Sequence, residues 1–179
     1  MSLFVAVDLP IGIKTYLTAV SSQLKTNAAD VAIAKELHVT MKFLGEVSDD
    51  KIEDIERRLT RLTFRAFQAK LGAIGMFGEG RDVKVVWGGL EPKDAFAKLA
   101  KEVDRALPEY KNEYTTFTPH VTFARVKRVI ASEAFTELVK GISIDRRMFE
   151  VSEIKLYQSI SGLEGHRYKV LRVYPAILT

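Results

Sequence analysis

The chain has 179 residues, of which 47% are hydrophobic and 28% are charged, and its formal net charge is +4. This composition is ordinary for a globular protein, and the length suits one domain or two small lobes. The absence of cysteine excludes disulfides, thiolate zinc sites and a cysteine nucleophile. The modest positive charge is compatible with a polyanionic partner without requiring one.

The first ten residues form a short apolar run that contains Asp8, without the basic start and long apolar core of a signal peptide. No stretch of the sequence approaches the ~20 apolar residues of a membrane span. We therefore expect a soluble, cytoplasmic protein that has no membrane partner.

Hydrophobic periodicity predicts strands and helices that alternate along the chain. Helices are predicted after Pro10, Ser48 and Pro92, and a short one over 132–140. Strands are predicted over 3–9, 67–76, 83–90, 142–149, 151–160 and 168–174, in addition to two strands that contain histidine.

The two histidine strands carry the same tripeptide, His-Val-Thr, at 38–40 and again at 120–122. In both segments apolar residues alternate with His and Thr, the period-two pattern of a half-buried strand. His and Thr at positions i and i+2 face the same side of a strand, so two such strands side by side would place two imidazoles and two hydroxyls in one cleft. One copy alone would be interpreted as a strand former beside a surface polar residue, but the duplication favours a site for acid–base chemistry on a phosphate.

The architecture around the two tripeptides also repeats. Each His strand is followed by a helix and then by two strands, and no flexible linker separates the copies. The sequence therefore predicts an α+β fold that is bilobal and pseudo-twofold. Mainly antiparallel sheets would line a central cleft, with helices packed outside. Residues 1–179 would form a single bilobal domain.

Other residues give weaker signals. Arg125 lies three positions beyond Thr122, which is the wrong parity for the His face of a regular strand, so it needs a bulge or a long reach to touch a phosphate. Phe43 and Tyr168 are the aromatic candidates for stacking on a substrate, whereas Trp87 is interpreted as a core residue. His166 is interpreted as a solvated turn residue, with an RNA contact as the alternative.

No pattern in the sequence predicts a metal or a nucleotide cofactor. The histidines lack the spacings of a catalytic zinc site, and the glycines at 75–80 lack the lysine of a P-loop. We expect no metal and no cofactor.

The two tripeptides and their surroundings resemble the paired motifs of the 2H phosphoesterase superfamily. The resemblance is to its RNA 2′,3′-cyclic phosphodiesterase branch, also called 2′-5′ RNA ligases, and it covers nearly the whole chain. The similar segments are Leu3–Pro10, His38–Gly45, Val85–Leu90 and Thr118–Arg125, followed by Ser159, Gly165, Tyr168 and Leu171.

This resemblance implies metal-independent hydrolysis of RNA 2′,3′-cyclic phosphate ends to 2′-phosphates. It implies His120 as the base and His38 as the acid, although the near symmetry leaves that assignment open. Thr40 and Thr122 would bind the phosphate, and Arg125, Phe43 and Tyr168 are candidates for further substrate contacts. The partner would be RNA, such as tRNA halves, or a small cyclic nucleotide, and we expect a monomer.

Two other functions remain open at this point. A non-catalytic module could hold RNA or a nucleotide by its phosphate, although arginine or lysine would serve binding alone as well as histidine does. The same site could also join RNA ends through a 2′-5′ linkage, which is the reverse of diester opening.

Overall fold

The computed structural model describes residues 1–178. Four helices pack against nine strands in these residues. The helices are α1 (Ile11–Ser22), α2 (Asp49–Thr60), α3 (Lys93–Ala106) and α4 (Ser132–Lys140). The strands are β1 (Ser2–Asp8), β2 (Ala29–Ile33), β3 (His38–Glu46), β4 (Phe67–Phe77), β5 (Val85–Glu91), β6 (His120–Val129), β7 (Met148–Val151), β8 (Glu153–Gly162) and β9 (Gly165–Pro175).

The strands form one antiparallel sheet in the order β7-β4-β5-β6-β3-β1-β8-β9, with β2 paired to the outer part of β6. The sheet consists of two halves of four strands each, and the two His strands, β6 and β3, meet at its centre. Within residues 1–178, Val39–Val121 is the one pair in the strand register between β3 and β6. The predicted α+β class, with its pseudo-twofold repeat of antiparallel strands, is confirmed.

The helices cover one face of the sheet and leave the other face open to the cleft. Their apolar stripes are buried against the core side of the strands, as with Phe96, Leu99 and Val103 of α3. A second, small cluster of Phe4, Ala6 and Tyr157 lies apart from this main core. Because Phe4 and Tyr157 contact the ring of His38, this small cluster belongs to the cleft face.

Two parts of the predicted order are wrong. Strand β2 was not predicted, because its five residues are too few to show a clear alternation. The strand predicted over 142–149 begins only at Met148. Ile142 instead closes the end of α4 through a backbone bond to Val139, and Arg147 places its guanidinium over the ring of Tyr16, so this segment is a packed connection.

No helix within residues 1–178 combines the length and the apolar character needed to cross a membrane.

Candidate active site

The two His strands have the same order of buried and exposed side chains along their first nine residues. His and Thr are partly exposed in both strands, and the intervening valines are buried in the core. The Val39–Val121 pair sets the antiparallel register, which places His38 across from Thr122 and Thr40 across from His120. The structure thus brings the four predicted groups together on one face.

Both strands contain a bulge directly after their Thr residue. On β3 the pairing to β1 skips Met41, and on β6 the pairing to β5 skips Phe123. A bulge inserts one unpaired residue and reverses the parity of the later residues on its strand. Phe43 and Arg125 therefore return to the cleft face, where both are exposed. The bulge that Arg125 needs in order to reach the cleft face is therefore present.

His38 is surrounded by aromatic rings. Its ring centroid lies 5.0 Å from Phe4 and 5.0 Å from Tyr168, and Tyr157 is 6.4 Å away. Burial among these rings disfavours the charged imidazolium and lowers the pKa of His38 to about 4, against a smaller raising effect of the Glu36 backbone. Nε2 lies 3.1 Å from the hydroxyl of Thr40, whereas the buried Nδ1 has no hydrogen-bond partner within residues 1–178.

Asp8 faces His38 across the β1–β3 pair, and its negative charge acts to raise the pKa of His38. Lys14 and Lys155 bind its two oxygens at 2.6 and 2.8 Å. Burial acts to raise the pKa of Asp8, but the two lysines together lower it, so the carboxylate stays ionised. With two cations bound to it, Asp8 raises the pKa of His38 too little to offset burial.

His120 has a different set of neighbours. Its Nδ1–H donates a 2.7 Å hydrogen bond to the carbonyl of Thr118, which fixes the ring and leaves Nε2 free for chemistry. Its ring lies 5.0 Å from Phe77 and 6.0 Å from Trp87. Burial lowers the pKa of His120, the Thr118 carbonyl raises it, and the charge of Arg125 lowers it further.

Trp87 forms part of the cleft wall and is not a core residue, contrary to the sequence interpretation. It pairs with Thr122 across β5 and β6, and it is only partly buried. Its indole lies over Gly75 on the neighbouring strand, where a Cβ would come within 2.4 Å of the ring. A larger residue at Gly75 would therefore displace the ring that contacts His120.

Arg125, Phe43 and Tyr168 all lie at the cleft. The charge of Arg125 lowers the pKa of both His120 and Tyr168, so its guanidinium lies within electrostatic reach of both residues. Phe43 contacts Phe4 with centroids 5.8 Å apart. The sequence did not predict Phe4, Tyr157 or Phe77 as site residues. Their strands carry no motif, and only the sheet order brings them beside the histidines.

No group of three or more His, Cys, Asp or Glu side chains among residues 1–178 is arranged to hold a metal ion. At the centre of the cleft the structure places two imidazoles, two hydroxyls and one guanidinium beside aromatic rings. These groups can transfer protons and bind an anion.

Two imidazoles, each with a threonine two residues later on adjoining strands, define the protein as a 2H phosphoesterase. The family model described as the 2′-5′ RNA ligase superfamily matches residues 19–162. The chain belongs to this superfamily.

Curated relatives support the same placement over nearly the whole chain. An RNA 2′,3′-cyclic phosphodiesterase of Archaeoglobus fulgidus is 33% identical over 178 residues, covering 97% of this chain and 99% of the relative. One of Methanocaldococcus jannaschii is 31% identical over 175 residues, covering 96% and 99%.

Solved structures share the fold. The apo form of Escherichia coli LigT superposes with a TM-score of 0.76 at 26% identity, covering 99% of this chain and 98% of the other. A protein of Thermus thermophilus superposes with a TM-score of 0.77 at 23% identity, covering 98% and 97%, and its likeness concerns the fold alone.

Proposed function

We propose that this protein opens 2′,3′-cyclic phosphate ends of RNA to 2′-phosphates by acid–base catalysis with His38 and His120. The observation that carries the proposal is the geometry at the sheet centre. There the Val39–Val121 register sets His38 opposite Thr122 and Thr40 opposite His120 on one face of the sheet. The relatives named RNA 2′,3′-cyclic phosphodiesterases give the substrate class.

The reaction needs one proton to be removed and one to be supplied. A histidine takes a proton from water, the water oxygen bonds to phosphorus, and the bond from phosphorus to the ribose O3′ breaks. The second histidine protonates O3′, which leaves a 3′-hydroxyl and a 2′-phosphate. Hydroxyls of Thr40 and Thr122 donate to the non-bridging oxygens and stabilise the negative charge that develops there.

Three further side chains would hold the substrate around the phosphate. Arg125 offers a guanidinium to a phosphate oxygen, and the bulge at Phe123 is what returns it to the cleft. Phe43 is 58% exposed, which is unusual for a large apolar ring and suits stacking on a base. Tyr168 lies edge-on to His38 and would border the same nucleotide. Because both motifs come from one chain, we propose that a monomer is sufficient for activity.

The decisive test uses purified protein and an oligoribonucleotide that ends in a 2′,3′-cyclic phosphate, in buffer with EDTA. We expect conversion to the 2′-phosphate, identified by mass and by separation from a 3′-phosphate standard. The matched control is the double variant His38→Ala/His120→Ala, which should bind the oligonucleotide without converting it. If the wild-type protein binds but never converts the end, the non-catalytic alternative is correct.

The same mixture tests the reverse reaction. Adding an RNA with a 5′-hydroxyl supplies the partner for joining, and a 2′-5′ linked product would show ligation from the same site. Activity that disappears with EDTA and returns with Mn²⁺ or Zn²⁺ would contradict a mechanism that relies on the two histidines alone.

A further inference from the structure

The hairpin of β8 and β9 extends the open face of the cleft beyond the histidines. Its two strands pair in register, with Ser159 opposite Tyr168 and Ser161 opposite His166. Directly opposed residues of an antiparallel pair share a face, and residues two apart share it too. Because Tyr168 contacts the ring of His38, the side chains of Ser159, Ser161 and His166 lie on the cleft face as well.

These three side chains form a polar group on the exposed surface. Nδ1 of His166 lies 3.2 Å from the hydroxyl of Ser159 and 3.4 Å from that of Ser161. Both contacts use the same ring nitrogen, so Nε2 is available to a ligand. The group therefore extends the cleft face beyond Tyr168, the residue that contacts His38.

The hairpin is fixed relative to the first His strand. The ammonium group of Lys35 donates to the carbonyl of Glu164 at the hairpin tip, at 3.1 Å. The backbone N–H of Tyr168 donates to a carboxylate oxygen of Glu36, at 3.4 Å. Both partners lie just before β3, so these contacts link the hairpin to the start of the first His strand.

Two cations lie within reach of the cleft surface that leads to this group. Arg125 influences the hydroxyl of Tyr168 from across the cleft, and Lys35 stands at the hairpin tip. An RNA strand that runs from the histidines to His166 would therefore pass within reach of Arg125 and Lys35, with the Glu36 carboxylate beside Tyr168 as the opposing charge. Phe43 belongs to the same half of the sheet, where it contacts Phe4 beside Tyr168, and this apolar surface suits a base better than a backbone.

We propose that Ser159, Ser161 and His166 form a subsite for the nucleotide on the 5′ side of the cyclic-phosphate end of RNA. The proposal rests on the proposed function, because the histidines locate that end. Hydroxyl and imidazole groups hydrogen-bond phosphate oxygens, ribose hydroxyls and base edges. The step from Tyr168 to His166 spans about 6.8 Å, roughly twice the ~3.4 Å rise of a stacked base. This spacing leaves room for one nucleotide between the cyclic-phosphate end and the hairpin group.

The test compares a mononucleotide 2′,3′-cyclic phosphate with a trinucleotide that has the same end, at physiological salt. The measured quantity is the ratio of kcat/KM for the trinucleotide to that for the mononucleotide. His166→Ala and Ser161→Ala should each lower this ratio about threefold to tenfold, the usual effect of one lost hydrogen bond, through KM for the trinucleotide.

Arg167→Ala is the matched control. Arg167 is adjacent to His166 on the same exposed strand, but it pairs with Ile160 and so lies on the other face of the hairpin. It removes a full charge, so a purely electrostatic effect of the hairpin on RNA would be largest in this variant. We expect it to leave the ratio within twofold of wild type.

The outcomes separate the subsite from the proposed function. If wild-type protein opens both substrates with equal kcat/KM, or if His166→Ala lowers both equally, the subsite is wrong and the proposed function stands. A loss in Arg167→Ala as large as in His166→Ala also overturns the subsite. If wild-type protein opens neither substrate, the proposed function fails and the subsite fails with it.

Discussion

The two His strands have the same backbone plan but different surroundings. Each has a buried valine between His and Thr, a bulge after Thr, and a third cleft residue three positions on. The first imidazole is enclosed by three aromatic rings and has an unpartnered Nδ1 within the described chain, whereas the second donates Nδ1–H to a backbone carbonyl. The third residue is Phe43 on one strand and Arg125 on the other.

The repeated strands place a His and a Thr at equivalent positions, and the side chains around each histidine make the two imidazoles chemically different. Backbone groups raise the pKa of both histidines, but burial lowers the pKa of His38 more strongly, so His38 is the more readily neutral of the two and suits the base. On this ground we propose His38 as the base and His120 as the acid in the free protein. This is the reverse of the assignment that the family resemblance implies.

A buried lysine, Lys42, is a second difference between the two His strands. Lys42 on β3 is 1% exposed and binds Asp104 of α3 and, at 3.2 Å, Asn112 of the segment that leads into β6. The position equivalent to Lys42 on β6 is Ala124, which is buried in the apolar core. The first strand is thus tied to the approach of the second by polar contacts that have no counterpart in the other lobe.

The largest expected effect is the loss of either imidazole. His38→Ala and His120→Ala should each reduce kcat by ~10²–10⁴-fold, the usual contribution of a positioned acid or base. Steady-state kinetics on a cyclic-phosphate oligonucleotide checks this, with circular dichroism to confirm folding. Near wild-type turnover in either variant would contradict the two-histidine mechanism.

The residual activity of these variants sharpens the comparison. With His38 as the base, the rate of His38→Ala should still fall at high pH, because His120 must stay protonated. The rate of His120→Ala should still fall at low pH, because His38 must stay neutral. The opposite pattern would restore the assignment that the resemblance implies.

Removing the hydroxyls should have the next largest effect. Thr40→Val and Thr122→Val keep the shape of the strand and delete a donor to the phosphate, so kcat should fall by roughly 10–10³-fold. The hydroxyl of Thr40 already lies 3.1 Å from His38 Nε2, so Thr40→Val should also alter the pH dependence, whereas Thr122→Val should change the rate alone. If both variants are fully active, Thr40 and Thr122 contribute to strand formation and not to catalysis.

Phe43 and Arg125 test the third position of each strand. Arg125→Met should raise KM by about tenfold and reduce the salt dependence of binding by about one unit of slope. Phe43→Leu should raise KM by about fivefold or more by removing a stacking surface, with an unchanged salt dependence. Titration of RNA binding at several salt concentrations separates the two. Equal salt slopes in both variants would show that Arg125 does not contact the phosphate.

The smallest expected effect concerns the position of the pH optimum. Burial lowers the pKa of His38 to about 4 and also lowers that of His120 below its usual 6.5. The base must be neutral and the acid protonated, and kcat/KM reports the free protein. The value of kcat/KM should therefore be highest at a pH between the pKa of His38 and that of His120, on the acid side of 6.5. Bound phosphate raises both pKa values, so the kcat profile should lie at higher pH.

Arg125→Met provides the control for this profile. The guanidinium of Arg125 lowers the pKa of His120. The Arg125→Met substitution should therefore move the high-pH limb of the kcat/KM profile to higher pH and leave the low-pH limb in place. A wild-type kcat/KM optimum above about pH 7 would contradict the lowered pKa values.

The sequence predicts the four central groups and the fold class, because alternation and repetition are local patterns. It does not predict the bulges, since Met41 and Phe123 look like any other apolar strand residues. The aromatic rings around the histidines were missed for another reason. Phe4 and Tyr157 are far along the sequence from either motif, and the order of the strands in the sheet brings them close to His38.

Trp87 has a practical consequence for experiments. It is the single tryptophan of the chain, and its ring lies 6.0 Å from His120 and far along the sheet from the aromatic surroundings of His38. Tryptophan emission therefore reports on one half of the cleft only. A ligand that seats against the second motif should change the fluorescence of the native protein, without any label, while one confined to the first motif should leave the signal unchanged.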